Sequence, residues 1–217
     1  MIWSWEHRWR SDNSELPGML THQTCNQSTI PELRCKTCRQ VVYPNDVSSF
    51  ADPEAVLDST HRRTTQRRRR TKTQNSDAVD ESFFAALDVV GDRWTGMIIA
   101  AIWFGQHRYD DIASAIGIAT NILADRLKHL TASGILERRA YRRSPDRHAY
   151  RLTEKGHDLY GFSVMLHQWG KRWLLRKRVS SIGLEHCCGT QLTCEVVCSA
   201  CHEPLARGTV GYASDNA

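Results

Sequence analysis

Between Asp88 and Gly156 the hydrophobic period changes once, from helical to alternating, and that change limits what the chain can fold into. Phe83, Phe84, Leu87 and Val90 recur at helical spacing over 79–90, and Gly91 with Asp92 offers a stop. Trp94 to Phe104 reads as a second helix closed by Gly105, and Tyr109, Ile112 and Ile116 as a third, ending near Gly117. Ile122, Leu123, Leu127 and Leu130 predict a fourth helix that starts at Thr120 or Asn121 as cap and ends before Gly134. From Ile135 the period is two: a strand to Tyr141, a polar turn over Ser144, Pro145 and Asp146, and a second strand from His148 to Leu152. Two helices joined through Gly117 make a helix-turn-helix, and the basic hairpin behind them makes it winged. The expected fold class is mainly α with a small β-hairpin (α+β), and the expected partner is double-stranded DNA. Thr153 caps a last helix with apolar residues Leu159, Phe162, Met165, Leu166, Trp169 and Trp173. So long an aromatic face at the edge of a small domain needs cover, for which a second copy is the expected source.

The remainder of the chain divides by composition. Residues 51–77 are rich in Ser, Thr, Gln and basic residues and predict a disordered linker between a head (1–50) and the core (78–178), which a cysteine-bearing tail (179–217) follows. Arg62, Arg63, Arg67, Arg68, Arg69, Arg70 and Lys72 account for more than the whole net charge of +5. They can track along DNA as an arm or keep the linker soluble. Met1 to Arg10 turns polar at once, unlike a secretion signal, and the apolar run 94–104 is too short to span a bilayer, so the expectation is a bacterial cytoplasmic protein with no membrane partner. Eight cysteines there suggest metal ligands or responsive thiols rather than permanent crosslinks.

The two ends repeat one another. Trp5, Arg8, Trp9, Leu20 and His22 match Trp169, Arg172, Trp173, Leu184 and His186 at an offset of 164. With one residue dropped, Cys25, Cys35, Cys38 and Val47 match Cys188, Cys198, Cys201 and Val210 at 163. The head is therefore the closing part of a second copy of the unit, without its DNA-reading part. Each end carries one His and three Cys: His22, Cys25, Cys35 and Cys38 in the head, and His186, Cys188, Cys198 and Cys201 in the tail. A Cys-x-x-Cys knuckle with a further Cys and His supplies four soft ligands for tetrahedral zinc, whose binding would give such small tails the folding energy their apolar content lacks. A redox-responsive dithiol is the alternative chemistry. Cys187 and Cys194 have no counterpart in the head, which argues against a ligand role, although either could replace His186.

Within the core, Thr120, Asn121, Asp125 and Lys128 form the polar face of the fourth helix and are the candidates for DNA contact. Arg142, Arg143 and Arg147 at the hairpin are candidates for phosphate or minor-groove contact. For Arg126 the competing role is a clamp inside the domain, and for Asp125 an ion pair within its own helix. Trp94, Trp103, Trp169 and Trp173 lie on apolar helical faces and predict core or dimer packing, not a ligand box. His107, His129, His148, His157 and His167 are scattered without a matching carboxylate motif, so no enzyme is expected. The alternative function is a zinc- or thiol-dependent sensing or protein-interaction adaptor with a vestigial DNA-binding role.

Residues 80–175 resemble the HxlR family of winged-helix bacterial transcriptional regulators. The resemblance rests on Gly91-Asp-Arg-Trp94, Arg108-Tyr-Asp-Asp-Ile112, Ile122-Leu-Ala-Asp-Arg-Leu-Lys-His-Leu130, Gly134-Ile-Leu-Glu-Arg138, Pro145 before Tyr150, and Tyr150-Arg-Leu-Thr-Glu-Lys-Gly156. It implies a homodimer joined through the first and last core helices on a pseudo-palindromic operator, with 119–129 as recognition helix and 142–147 as wing tip. Repression by promoter occlusion and an unknown small-molecule effector are family expectations too. Redox-sensing members keep a cysteine shortly before Gly-x-x-Trp. Here Asp80, Glu81 and Ser82 stand in that region, and no cysteine lies between Cys38 and Cys187, so that switch does not carry over.

Overall fold

Asp92 starts the first well-ordered core helix. Its carboxylate accepts from the backbone N–H groups of Trp94 (2.7 Å) and Thr95 (3.1 Å) and from the Thr95 hydroxyl (2.8 Å). The computed structural model describes residues 1–9, 19–51, 91–143, 146–173 and 182–212. The helix expected over 79–90 and the arginine run at 62–72 lie outside the described residues, as do the side chains of 141–147. In chain order the described helices are α1 (Ile2–Trp9), α2 (Arg93–Trp103), α3 (Tyr109–Ile116), α4 (Thr120–Ala132), α5 (Glu154–His157) and α6 (Tyr160–Trp173). The strands are β1 (Leu20–His22), β2 (Gln27–Ser28), β3 (Glu32–Cys35), β4 (Val47–Ala51), β5 (Leu136–Arg143), β6 (Asp146–Leu152), β7 (Ile182–His186), β8 (Cys194–Val197) and β9 (Val210–Tyr212).

Helices α2 to α4 and the β5–β6 hairpin form the winged helix-turn-helix. Ile98, Ile99 and Ile102 of α2, Ile112 of α3 and Leu123, Leu127 and Leu130 of α4 are buried in one core. Gly117 ends α3 at φ +63°, a left-handed conformation that glycine adopts without a Cβ penalty, and this lets α4 turn across α3. α4 begins one residue earlier than its expected caps. Ala119 already has extended backbone (φ −66°, ψ 140°), so Thr120 and Asn121 stand inside the first turn and neither caps. The hairpin runs closer to its tip than expected, pairing Leu136 with Leu152 at the base and Arg143 with Asp146 at the end, with a bulge between Ala140 and Arg142.

The closing helix is split where a single one was expected. The Thr153 side chain caps α5 by accepting from Gly156 N (3.2 Å). In an unbroken helix the Lys155 carbonyl would accept from Leu159 N. Instead it accepts from the indole N–H of Trp5 in the head (2.8 Å), while Leu159 N donates to Gly156 O (3.3 Å). Trp5 is 6 % exposed and belongs to the winged-helix core. Trp9 donates to Asp158 (2.6 Å), and Arg8 pairs with Glu154 (2.6 Å) and Asp158 (3.0 Å).

Head and tail pair strand for strand. β3 lies antiparallel to β8, β1 to β9 and β4 to β7. The repeat offset maps these pairings onto one another: His22 opposite Val210 becomes His186 opposite Val47, and Glu32 opposite Val197 becomes Glu195 opposite Arg34. Leu33 opposite Val196 maps onto itself, so an internal two-fold axis passes through the middle of the β3–β8 pair. Leu33, Cys35, Val42, Val164, Leu192 and Cys194 fill the small core beneath, with Val164 contributed by α6.

Candidate DNA-reading face and candidate metal centres

α4 separates its residues cleanly. Leu123, Leu127 and Leu130 are 0–1 % exposed, whereas Thr120, Asn121, Ala124, Asp125 and Lys128 lie on the outward side and are all exposed. The N-terminal end of that face is anchored by Tyr109, whose hydroxyl donates to Thr120 O (2.6 Å). Of the α4 ions, Arg126 is the one turned inward. Its guanidinium Nε lies 3.0 Å from Asp92 Oδ2 and ties α4 to the start of α2, while Nη1 lies 3.3 Å from Asp125 Oδ2. The Asp92 carboxyl sits below the usual carboxylate range: partial burial opposes this, but the Thr95 and Trp94 hydrogen bonds and Arg126 outweigh it.

In the wing, Arg139 pairs with Glu137 (2.6 Å) and Arg138 lies 3.0 Å from His148 Nδ1, so these two arginines occupy opposite faces of β5 and already have partners. The backbone sets Arg142 opposite Arg147 and Arg143 opposite Asp146 at the hairpin's far end. Arg108, before α3, bridges to Ala149 of β6 and joins wing to helix-turn-helix.

The eight metal-ligand candidates gather into two tetrads, each drawn from both ends of the chain. His22 and Cys25 meet Cys198 and Cys201; Cys35 and Cys38 meet His186 and Cys188. All ligand atoms within each group lie within 4.8 Å of one another. Tetrahedral zinc with Zn–S of about 2.3 Å and Zn–N of about 2.0–2.1 Å separates two sulfurs by roughly 3.8 Å and a sulfur from a nitrogen by roughly 3.6 Å. Cys25 Sγ and Cys198 Sγ are 3.9 Å apart, and His22 Nδ1 lies 3.5 Å from Cys25 Sγ and 3.3 Å from Cys201 Sγ. In the other tetrad His186 Nδ1 lies 3.4 Å from Cys38 Sγ and 3.3 Å from Cys188 Sγ. Three thiols and one imidazole, with both histidines 1 % exposed, fit a closed zinc site.

The thiols are not equivalent. Cys188 is drawn down to about 6, first by the Thr190 hydroxyl and then by His186. Burial works against Cys198, yet the Thr29 side chain and the backbone N–H groups of Cys201 and Ala200 bring it to about 6 as well. Cys194 joins neither tetrad and is pushed up to about 12 by burial, and the exposed Cys187 also stands outside both. No cysteine among the eight is disulfide-bonded.

Ligand spacing within one tail could not reveal this exchange. β3 spans about 10 Å, too far for the residues flanking its two ends to share one ion. Its antiparallel pairing with β8 brings each strand's knuckle beside the other's His and first Cys. The available signal was the repeat itself, because two like strands pair readily about a two-fold axis.

The HxlR-like helix-turn-helix family model matches residues 89–178. The uncharacterised HTH-type transcriptional regulator Rv3095 of Mycobacterium tuberculosis is 38 % identical over 131 residues, 60 % of this chain and 83 % of that protein. The HTH-type transcriptional regulator YodB of Bacillus subtilis is 33 % identical over 90 residues, covering 41 % of this chain and 80 % of its own. Among solved structures, PA1607, a candidate transcription factor, superposes with a TM-score of 0.56 at 28 % identity, over 64 % of this chain and 96 % of its own.

Proposed function

This chain belongs to the HxlR-like helix-turn-helix family of transcriptional regulators, and we propose that it reads an operator as a homodimer and represses by occluding a promoter. It is a sequence-specific DNA-binding regulator, a non-catalytic role. The observation that carries the finer reading is the outward face of α4. Thr120, Asn121, Asp125 and Lys128 stand exposed on a helix whose opposite side is locked into the core, the presentation a major groove requires. Asn121 and Lys128 can bond base edges or phosphates, and Arg142, Arg143 and Arg147 at the wing meet the flanking backbone.

The homodimer is supported by α6, where Leu166 (54 %), Trp169 (51 %) and Trp173 (49 %) remain exposed on one side of a helix whose Val164 is buried under the head. An apolar face of that size is covered by a second protomer, through α6 and the helix expected over 79–90. A groove of about 610 Å³ beside it, bordered by Met97, Trp103, Leu159 and Leu166, is concave and mainly apolar and would take a small-molecule effector. Among the described residues no helix is long and apolar enough to cross a membrane.

The test is binding of the purified protein to its own upstream intergenic duplex against a scrambled duplex across a salt series. Preference for the natural duplex, persisting as salt weakens both, is expected. Equal binding to the two would reject operator reading.

A further inference from the structure

The two tetrads are related by the same internal two-fold as the strands. The offset carries His22, Cys25, Cys198 and Cys201 onto His186, Cys188, Cys35 and Cys38. The surrounding backbone obeys it as well. Cys35 N donates to Gln40 O and Cys198 N to Glu203 O, both at 2.9 Å, and Arg39 N bonds Cys35 O as His202 N bonds Cys198 O, again at 2.9 Å. Between the halves, Gln23 N donates to Thr209 O and Cys187 N to Asp46 O, both at 2.8 Å. Even the left-handed turn residues correspond, Arg39 at φ +65° with His202 at +60°, and Asn26 at +55° with Gly189 at +78°. Backbone of this kind folds the ligands of a knuckle inward, and here it is built twice.

We infer that the chain holds two zinc ions, each bound by two ligands from the head and two from the tail, so that the head acts as a built-in partner that braces the tail and closing helix. Neither half has the apolar content to fold alone, and their shared core amounts to a few side chains. Two ions that each bridge the halves supply the missing stability, and they do so only if both halves are present. Through α1 the brace reaches the DNA-reading unit: Trp5 fills the winged-helix core and sets the break between α5 and α6. Loss of zinc is thereby transmitted to the helix that carries the dimer face.

Zinc content of the intact chain and of two double variants tests the pairing directly. The unmodified chain is expected to carry two zinc ions. Cys25→Ser with Cys198→Ser removes two ligands from one site, and the expected content falls from two to one. Cys25→Ser with Cys38→Ser takes one ligand from each site, and both ions are expected to leave under a mild chelator. Ions held within single tails would reverse the two results and overturn the inference, as would a metal-free chain. Should a variant fail to fold, graded zinc removal from the unmodified chain, followed by thiol alkylation and mass spectrometry, reads the same pairing. Cys25 is expected to become reactive together with Cys198 and Cys201. Co-exposure of Cys25 with Cys35 and Cys38 would contradict it.

Discussion

Trp5 and Trp169 are repeat counterparts with opposite surroundings, and truncating each to alanine should separate fold from assembly. Trp5 is 6 % exposed, donates its indole N–H to Lys155 O at 2.8 Å and has the Lys155 ammonium 5.2 Å from its ring centroid. Removing a buried aromatic side chain costs about 3–5 kcal/mol, the lost transfer energy and the cavity together. At roughly 2–4 °C per kcal/mol for a chain of this size, Trp5→Ala should lower Tm by about 6–20 °C. Trp169 is 51 % exposed, so Trp169→Ala should change the stability of an isolated protomer by no more than about 0.5 kcal/mol. In the dimer the same change should weaken association by about 1–2 kcal/mol or more, since a central interface tryptophan is a typical anchor. Urea unfolding followed by far-ultraviolet circular dichroism at two protein concentrations, with sedimentation of the same samples, distinguishes the two losses. A Trp5→Ala protein as stable as the parent, or a Trp169→Ala loss independent of concentration, would refute the docking of the head on the core.

Asp92→Ala removes a helix cap and the ion-pair partner of Arg126, and should cost about 1–2 kcal/mol at neutral pH. Because the folded-state carboxyl is lowered, its contribution is fully present above the unfolded value of about 3.9 and is lost as pH falls through the folded value. Urea midpoints of parent and variant should therefore converge only at strongly acidic pH; a gap independent of pH would contradict this. Gly156→Ala would bring a Cβ within 2.4 Å of Ile135 O, a backbone atom that cannot rotate away. A loss of about 1–3 kcal/mol by thermal melting is expected, and an unchanged melt would rule out the close approach of α5 to the hairpin.

The winged helix-turn-helix was legible because each element there follows a local rule. Asp92 caps, Gly117 permits the left-handed turn, and Leu123, Leu127 and Leu130 mark one face of α4. The departures have long-range causes. The break between α5 and α6 depends on an indole 150 residues away taking the Lys155 carbonyl, which no helical periodicity records. Arg126 could read DNA or brace the fold as far as its neighbours show, and the position of Asp92 in space selects the brace. The repeat identified the ligand set of each half, but which half completes which site depends on the β3–β8 pairing.

The central claim is that α4 reads base edges while the wing holds the backbone, and a comparison of Asn121→Ala with Arg142→Ala across a library of operator variants tests it most directly. Asn121→Ala should flatten the preference at one or two base positions, a loss of about 1–3 kcal/mol of discrimination there, with the salt dependence unchanged. Arg142→Ala should weaken every sequence alike and reduce the salt slope by about 0.9. If Asn121→Ala instead weakened all sequences equally, or left the base preferences intact, α4 would not be the element that reads the operator.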